Sequence, residues 1–172
     1  MTEFPRLTLI LGGARSGKSR QAEAFVTTLP PPWRYVATAQ AFDAEMEARI
    51  ALHRERRLEG WEMIEAPIDL ADTIAQLGGD SAPILIDCLT LWLSNLMLGG
   101  HDLETAISRF EAALERARSP VVLVSNEVGL GIVPENALAH RFRDEAGRLN
   151  QRLAARADRV LLMVAGLSLT VK

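Results

Sequence analysis

Cysteine is nearly missing from this 172-residue chain: Cys88 stands alone. No internal disulfide can form, and such usage fits a reducing compartment. There is no excess of basic charge either, since the formal net charge is −3, so no overall field points to a nucleic acid partner. No stretch approaches the roughly 20 apolar residues of a membrane helix. The early run Leu7–Leu11 is too short for a signal-peptide core and lacks a basic flank, because Glu3 and Arg6 offset each other. A cytoplasmic location is expected. Lysine is nearly as scarce. Of 19 basic residues only Lys18 and Lys172 are lysines, so position 18 holds its lysine for a reason other than surface charge.

What is present reads as one α/β domain over residues 1–172. Leu7–Leu11 is an apolar run ending at Gly12-Gly13, the pattern of a buried strand entering a tight turn. A helix over Lys18–Thr28 stops before Pro30-Pro31-Pro32. Strands are expected at Trp33–Thr38, Trp61–Ala66, Ile84–Asp87, Val121–Val124, Val160–Val164 and Leu167–Val171. Helices are expected from Asp43 to Leu58, at Leu70–Leu77, at Leu89–Leu98 (apolar nearly all round, hence buried), at Leu103–Ala117 and at Asn136–Ala157. Strands alternating with helices imply a mainly parallel central sheet with helices on both faces.

Gly12-Gly13-Ala14-Arg15-Ser16-Gly17-Lys18-Ser19 fits G-x-x-x-x-G-K-[ST] between a strand and a helix, the context a phosphate-binding P-loop requires. Glycines let the main chain wrap close enough for its N–H groups to face phosphate oxygens. Lys18 would bridge the β- and γ-phosphates and the Ser19 hydroxyl would hold Mg2+. Asp87, closing an apolar strand, is placed to hold the same metal directly or through water. Its neighbour Cys88 reads as a small packing residue. Glu127, after another strand, serves either as a general base or metal-water positioner, or as a cap on the turn at Gly129 and Gly131.

Arg49, His53 and Arg57 stack at i, i+4 and i+8, with Arg54 and Arg56 beside them. Stacked guanidinium groups suit a polyphosphate, and nearby cations keep a histidine neutral and nucleophilic. The same residues also read as an ordinary solvated helix face, because His53 shares its side with Met46 and Ile50. His101 and His140 lack comparable company and read as structural.

Taken together, several stretches resemble one family. They are the loop 12–19, Tyr35-Val36-Ala37-Thr38, Arg49-Ile50-x-x-His53-Arg54-x-x-Arg57-x-x-x-Trp61, and Asn126-Glu127-Val128-Gly129-x-Gly131-Ile132-Val133-Pro134-x-Asn136. Phe142-Arg143-Asp144 and Asn150-Gln151 complete the set. The family is the bifunctional adenosylcobinamide kinase/adenosylcobinamide-phosphate guanylyltransferase of cobalamin biosynthesis. The resemblance implies a RecA-like P-loop NTPase fold, a homotrimer, and a corrinoid substrate. It implies phosphorylation of adenosylcobinamide by ATP or GTP, then transfer of GMP from GTP to the new phosphate through a guanylylated His53. The implied nucleotide contacts fall on residues 12–19, Ala37, Thr38, Ala39, Arg54, Glu55, Arg56, Arg57, Glu65 and Asp87. Guanine would be read without an Asn-Lys-x-Asp motif, since no lysine lies between positions 18 and 172. Two other readings share the loop: a single-activity P-loop kinase with His53 as a phosphate contact, and a GTPase switch. The missing motif counts against the switch.

Overall fold

A computed structural model describes residues 4–40, 51 and 59–172. Of the helix expected from Asp43 to Leu58, only Ala51 is among the described residues; Arg49, His53 and Arg54–Arg57 lie outside them. The described chain runs β1 (Leu7–Gly12), α1 (Lys18–Val26), β2 (Trp33–Ala37), β3 (Trp61–Glu65), α2 (Leu70–Leu77), β4 (Ile84–Asp87) and α3 (Leu89–Leu98). It continues with α4 (Leu103–Arg116), β5 (Val121–Asn126), α5 (Ala137–Arg156), β6 (Arg159–Val164) and β7 (Leu167–Thr170).

The strands form one seven-stranded sheet in the order β3-β2-β4-β5-β1-β6-β7. All pairings are parallel except β6 with β7, an antiparallel hairpin at one edge. Alternation along the strands splits the core in two. Leu9, Ile84, Ile86, Val121 and Leu123 meet α2 to α5 on one face, while Ile10, Leu85, Val122 and Val124 meet α1 on the other. On the first face Trp92 packs its ring 5.1 Å from Phe110 and donates Nε1–H to the Ile68 carbonyl at 2.7 Å. Among the described residues no helix is long and apolar enough to cross a membrane.

The ends of the helices follow local chemistry. Asn136 caps α5 by accepting from the Leu138 and Ala139 amides, and Asp102 caps α4 by accepting from Thr105. The helix expected from Asn136 therefore begins one residue later, at Ala137, while both expected helices end one residue early, at Arg116 and Arg156. The helix expected through Thr28 ends at Val26, where the Thr27 and Thr28 hydroxyls turn back to the Glu23 and Phe25 carbonyls.

Arg34, on β2, locks the amino end of the sheet. Its Nη1 donates to the Leu77 carbonyl, closing α2, and its Nη1 and Nη2 grip both oxygens of Asp80 at 2.8 and 2.7 Å. That guanidinium, helped by the Ala82 amide, holds the Asp80 carboxyl below its usual range. A carboxyl depressed in the folded state contributes stability that is full above its unfolded pKa and is lost as pH falls through the folded one. Asp80→Asn is therefore expected to unfold at a lower temperature than wild type at pH 7. The gap should close as the solution is taken below the ordinary aspartate range, which calorimetry across pH would follow.

Candidate nucleotide site

Register aligns the expected site residues along the carboxyl edge of the sheet. Ala37 pairs with both Glu65 and Asp87, so three adjacent strands end in one row. Two strands beyond Asp87, across β5, β1 ends at Gly12 and delivers the loop 12–19. At roughly 4.8 Å per strand, Asp87 lies about 10 Å from the loop strand and Glu65 about 19 Å. Open α/β sheets bind ligands at this edge.

Main-chain geometry shapes the loop. Arg15 and Gly17 take left-handed φ values of +54° and +94° on either side of Ser16, the alternation that turns successive N–H groups toward one anion. Gly12 is constrained by space. A Cβ there would stand 2.5 Å from Ser16 Oγ and 2.8 Å from the Met163 carbonyl oxygen, so the missing side chain lets the loop fold onto β6. α1 begins at Lys18 with Gly17 as its cap, bringing a helix N-terminus to the loop. Lys18 is only 7% exposed, and its ammonium group donates to the Gly13 carbonyl within the loop. Burial pushes its pKa down, while Asp87 and then Cys88 pull it back up.

Asp87 is held by Tyr35, whose hydroxyl donates to Oδ2 at 2.8 Å. Beside it, the fully buried Thr38 hydroxyl donates to the Cys88 carbonyl at 2.6 Å and accepts from the Cys88 amide at 2.9 Å. The Asn95 side chain donates to the Thr38 carbonyl at 2.8 Å. Segment 37–39 is thus anchored through its main chain and the Thr38 hydroxyl faces inward. Cys88 is a buried free thiol in the second core cluster, in keeping with a packing role. Burial first, and then Asp87, push its pKa up. Glu127 is tied to the loop by its amide, which donates to the Gly12 carbonyl at 2.9 Å. Its Oε1 accepts from the Gly129 amide, the contact expected of a turn cap.

Residues 8–171 match the sequence model of the family described as cobinamide kinase / cobinamide phosphate guanyltransferase. This chain belongs to that family. Membership makes it an enzyme. It is 47% identical to the bifunctional adenosylcobalamin biosynthesis protein CobP of Pseudomonas aeruginosa, over 95% of this chain and 96% of that one. It is 45% identical to the bifunctional adenosylcobalamin biosynthesis protein CobU of Salmonella typhimurium, over 96% and 99%. In three dimensions it resembles an ATPase of the type III secretion system of pathogenic bacteria, with a TM-score of 0.57 at 14% identity. That match covers 96% of this chain and 56% of the larger one, and it shows a RecA-like P-loop fold.

For this family member, the structure adds groups that sequence reasoning missed. Tyr35 orients Asp87, and the signal was available: it is the chain's one tyrosine, on the strand beside Asp87. Asn95 braces Thr38 from inside an apolar helix, where its polarity was a flag. Arg143 donates to the Gly129 carbonyl at 3.1 Å, and Asn150 binds the Ser125 hydroxyl and the Asn126 carbonyl. Both were named from the sequence only within the resembling stretches, and the structure adds their partners. Of the two other histidines, His140 lies 3.5 Å from Asp144 on the exposed side of α5, and His101 sits in the turn between α3 and α4.

Proposed function

We propose that this chain phosphorylates adenosylcobinamide with ATP or GTP and then transfers GMP from GTP to adenosylcobinamide phosphate. The products of the second reaction are adenosylcobinamide-GDP and pyrophosphate, and the nucleotide passes through a guanylylated His53. The observation that carries the reading is the convergence of loop 12–19, Ala37, Glu65 and Asp87 on one sheet edge in a member of this family. The working unit is one domain, 1–172, in a cytoplasmic homotrimer that binds a corrinoid and no nucleic acid.

Each group has a task. The loop amides and the α1 N-terminus hold the phosphates, and Lys18 exchanges its Gly13 carbonyl for phosphate oxygens. The span from the loop to β2 and β3 suits a nucleotide whose base end lies toward Ala37–Ala39 and Glu65. Arg54, Glu55, Arg56 and Arg57 border the polyphosphate in the same reading.

The donor set fits Mg2+. Ser19 and Asp87 are hard oxygen donors, and no cluster of three or more His, Cys, Asp or Glu among the described residues could hold a metal unaided. Magnesium commonly takes one or two protein oxygens and completes its shell with phosphates and water. When bound it neutralises charge on the transferring and leaving phosphates. Tyr35 fixes the Asp87 carboxylate for that purpose.

In GMP transfer, His53 attacks the α-phosphorus as the bond to the β-phosphate oxygen breaks, and pyrophosphate leaves against Lys18 and the arginines. The acceptor phosphate then displaces the imidazole. Two displacements predict retained configuration at phosphorus. Glu127 stands beside the loop as a base or positioning group toward the acceptor hydroxyl in the kinase step.

The test is labelling with GTP carrying radioactive α-phosphate. Wild type should form an acid-labile, alkali-stable adduct, and His53→Asn should form none while still binding GTP. Label persisting in His53→Asn would remove His53 as the nucleophile. An unlabelled wild type that phosphorylates cobinamide would reduce the protein to a single-activity kinase.

A further inference from the structure

The turn between β6 and β7 lies against the phosphate loop. Val164 pairs with Leu167, and the two residues between them, Ala165 and Gly166, take left-handed φ values of +50° and +80°. This is the two-residue turn whose twist matches a hairpin. The Gly166 amide donates outward, to the Ser16 carbonyl at 2.9 Å. The approach is close enough that a Cβ on Gly17 would lie 3.3 Å from the Gly166 Cα and 3.8 Å from the Met163 terminal methyl. One residue before Val164, Met163 pairs with Gly12 at the loop's entrance.

We propose that the Gly166 main-chain N–H is a positioning group for phosphate binding. This rests on the reading that loop 12–19 holds a triphosphate. A trans peptide is planar, with its carbonyl and its N–H pointing in opposite directions. The Ser16 carbonyl and the Gly17 N–H belong to one such unit. Holding that carbonyl on the hairpin side turns the Gly17 N–H to the other side, into the concavity framed by the left-handed Arg15 and Gly17. Without the Gly166 bond, the 16–17 peptide is free to rotate and this donor must be re-aimed when phosphate binds. The hairpin thereby sets the loop's orientation before ligand arrives, from the far end of the sequence.

Position 166 also allows a clean substitution series. A Cβ there meets nothing within 4 Å, so only the backbone angle is at stake. Asparagine tolerates the left-handed region, alanine is strained in it, and a β-branched residue is strained most. Gly166→Val in the full-length chain is expected to weaken GTP about ten-fold, with a similar loss for inorganic tripolyphosphate, which carries no base. Gly166→Asn should recover most of that affinity. The KM for GTP should rise in the valine variant with kcat within about two-fold, a split that general loosening of the fold would not give.

Should the valine variant fail to fold, the Ala/Asn pair carries the test, with about three-fold tighter tripolyphosphate binding expected for Gly166→Asn. Equal affinities in wild type and in whichever of these variants fold would overturn the positioning role alone. A wild type that binds neither GTP nor tripolyphosphate would overturn the nucleotide reading and this inference with it.

Discussion

Lys18→Ala should lower both the kinase and the GMP-transfer rates by about three orders of magnitude, the scale of losing a preorganised charge at a phosphate site. In the proposed reactions both steps would pass a phosphate group over the same loop, so one ammonium would serve both. Lys18 is buried at the start of α1 and rests on the Gly13 carbonyl. Its lowered pKa marks an ammonium held at a desolvation cost. Removing it should therefore leave the thermal midpoint of the ligand-free protein unchanged or raised, while activity collapses. Lys18→Arg should not rescue the rates, because a planar fork cannot take the place of a compact point charge inside a tight loop. Initial rates with corrinoid acceptor, set beside calorimetry of the free protein, check this. A Lys18→Ala enzyme within ten-fold of wild type would refute the role.

Gly12→Ala should be the most damaging single methyl in the loop. Of the three nearest atoms its Cβ would meet, Ser16 Oγ can rotate away, but the Met163 carbonyl oxygen and Cβ are carried on a main chain fixed by the β1–β6 pairing. The loop must lift from β6, at a cost of about 1–3 kcal/mol by analogy with overpacked cores. Binding nucleotide would have to restore the pressed-down conformation, so GTP affinity should fall by about ten- to a hundred-fold. Gly13→Ala is the stability control, since a Cβ there meets nothing within 4 Å. Titration of GTP and thermal melts of the two variants side by side give the comparison. Equal melting temperatures and affinities would show that the loop yields without cost.

Much of this architecture was legible because its signals are local. Leu7–Leu11, Ile84–Asp87 and Val121–Val124 are short apolar runs closed by glycine or polar residues, and each is a buried parallel strand. The loop 12–19 was legible for the same reason, being eight consecutive residues whose chemistry is contiguous. Leu89–Leu98 is buried as its composition predicts, apart from Leu91 and Leu98 at the surface.

The partners of these elements could not be read, because pairing depends on chain return. Nothing near Ser16 announces that Gly166 holds its carbonyl, and nothing near Arg34 announces Asp80. Arg143 was quoted for its resemblance value, but its carbonyl partner lies across the loop after β5. His53 falls outside the described residues, so its role stays with the labelling experiment.

β1 lies between β5 and β6, and its hydrogen-bonding partners begin at Val121 and Arg159. During synthesis loop 12–19, which would hold phosphate in the proposed reading, emerges before either of the strands that flank β1 exists. Ribosome-bound fragments ending before β5 would thus carry the full binding motif yet retain no nucleotide, a delay that follows from threading order alone.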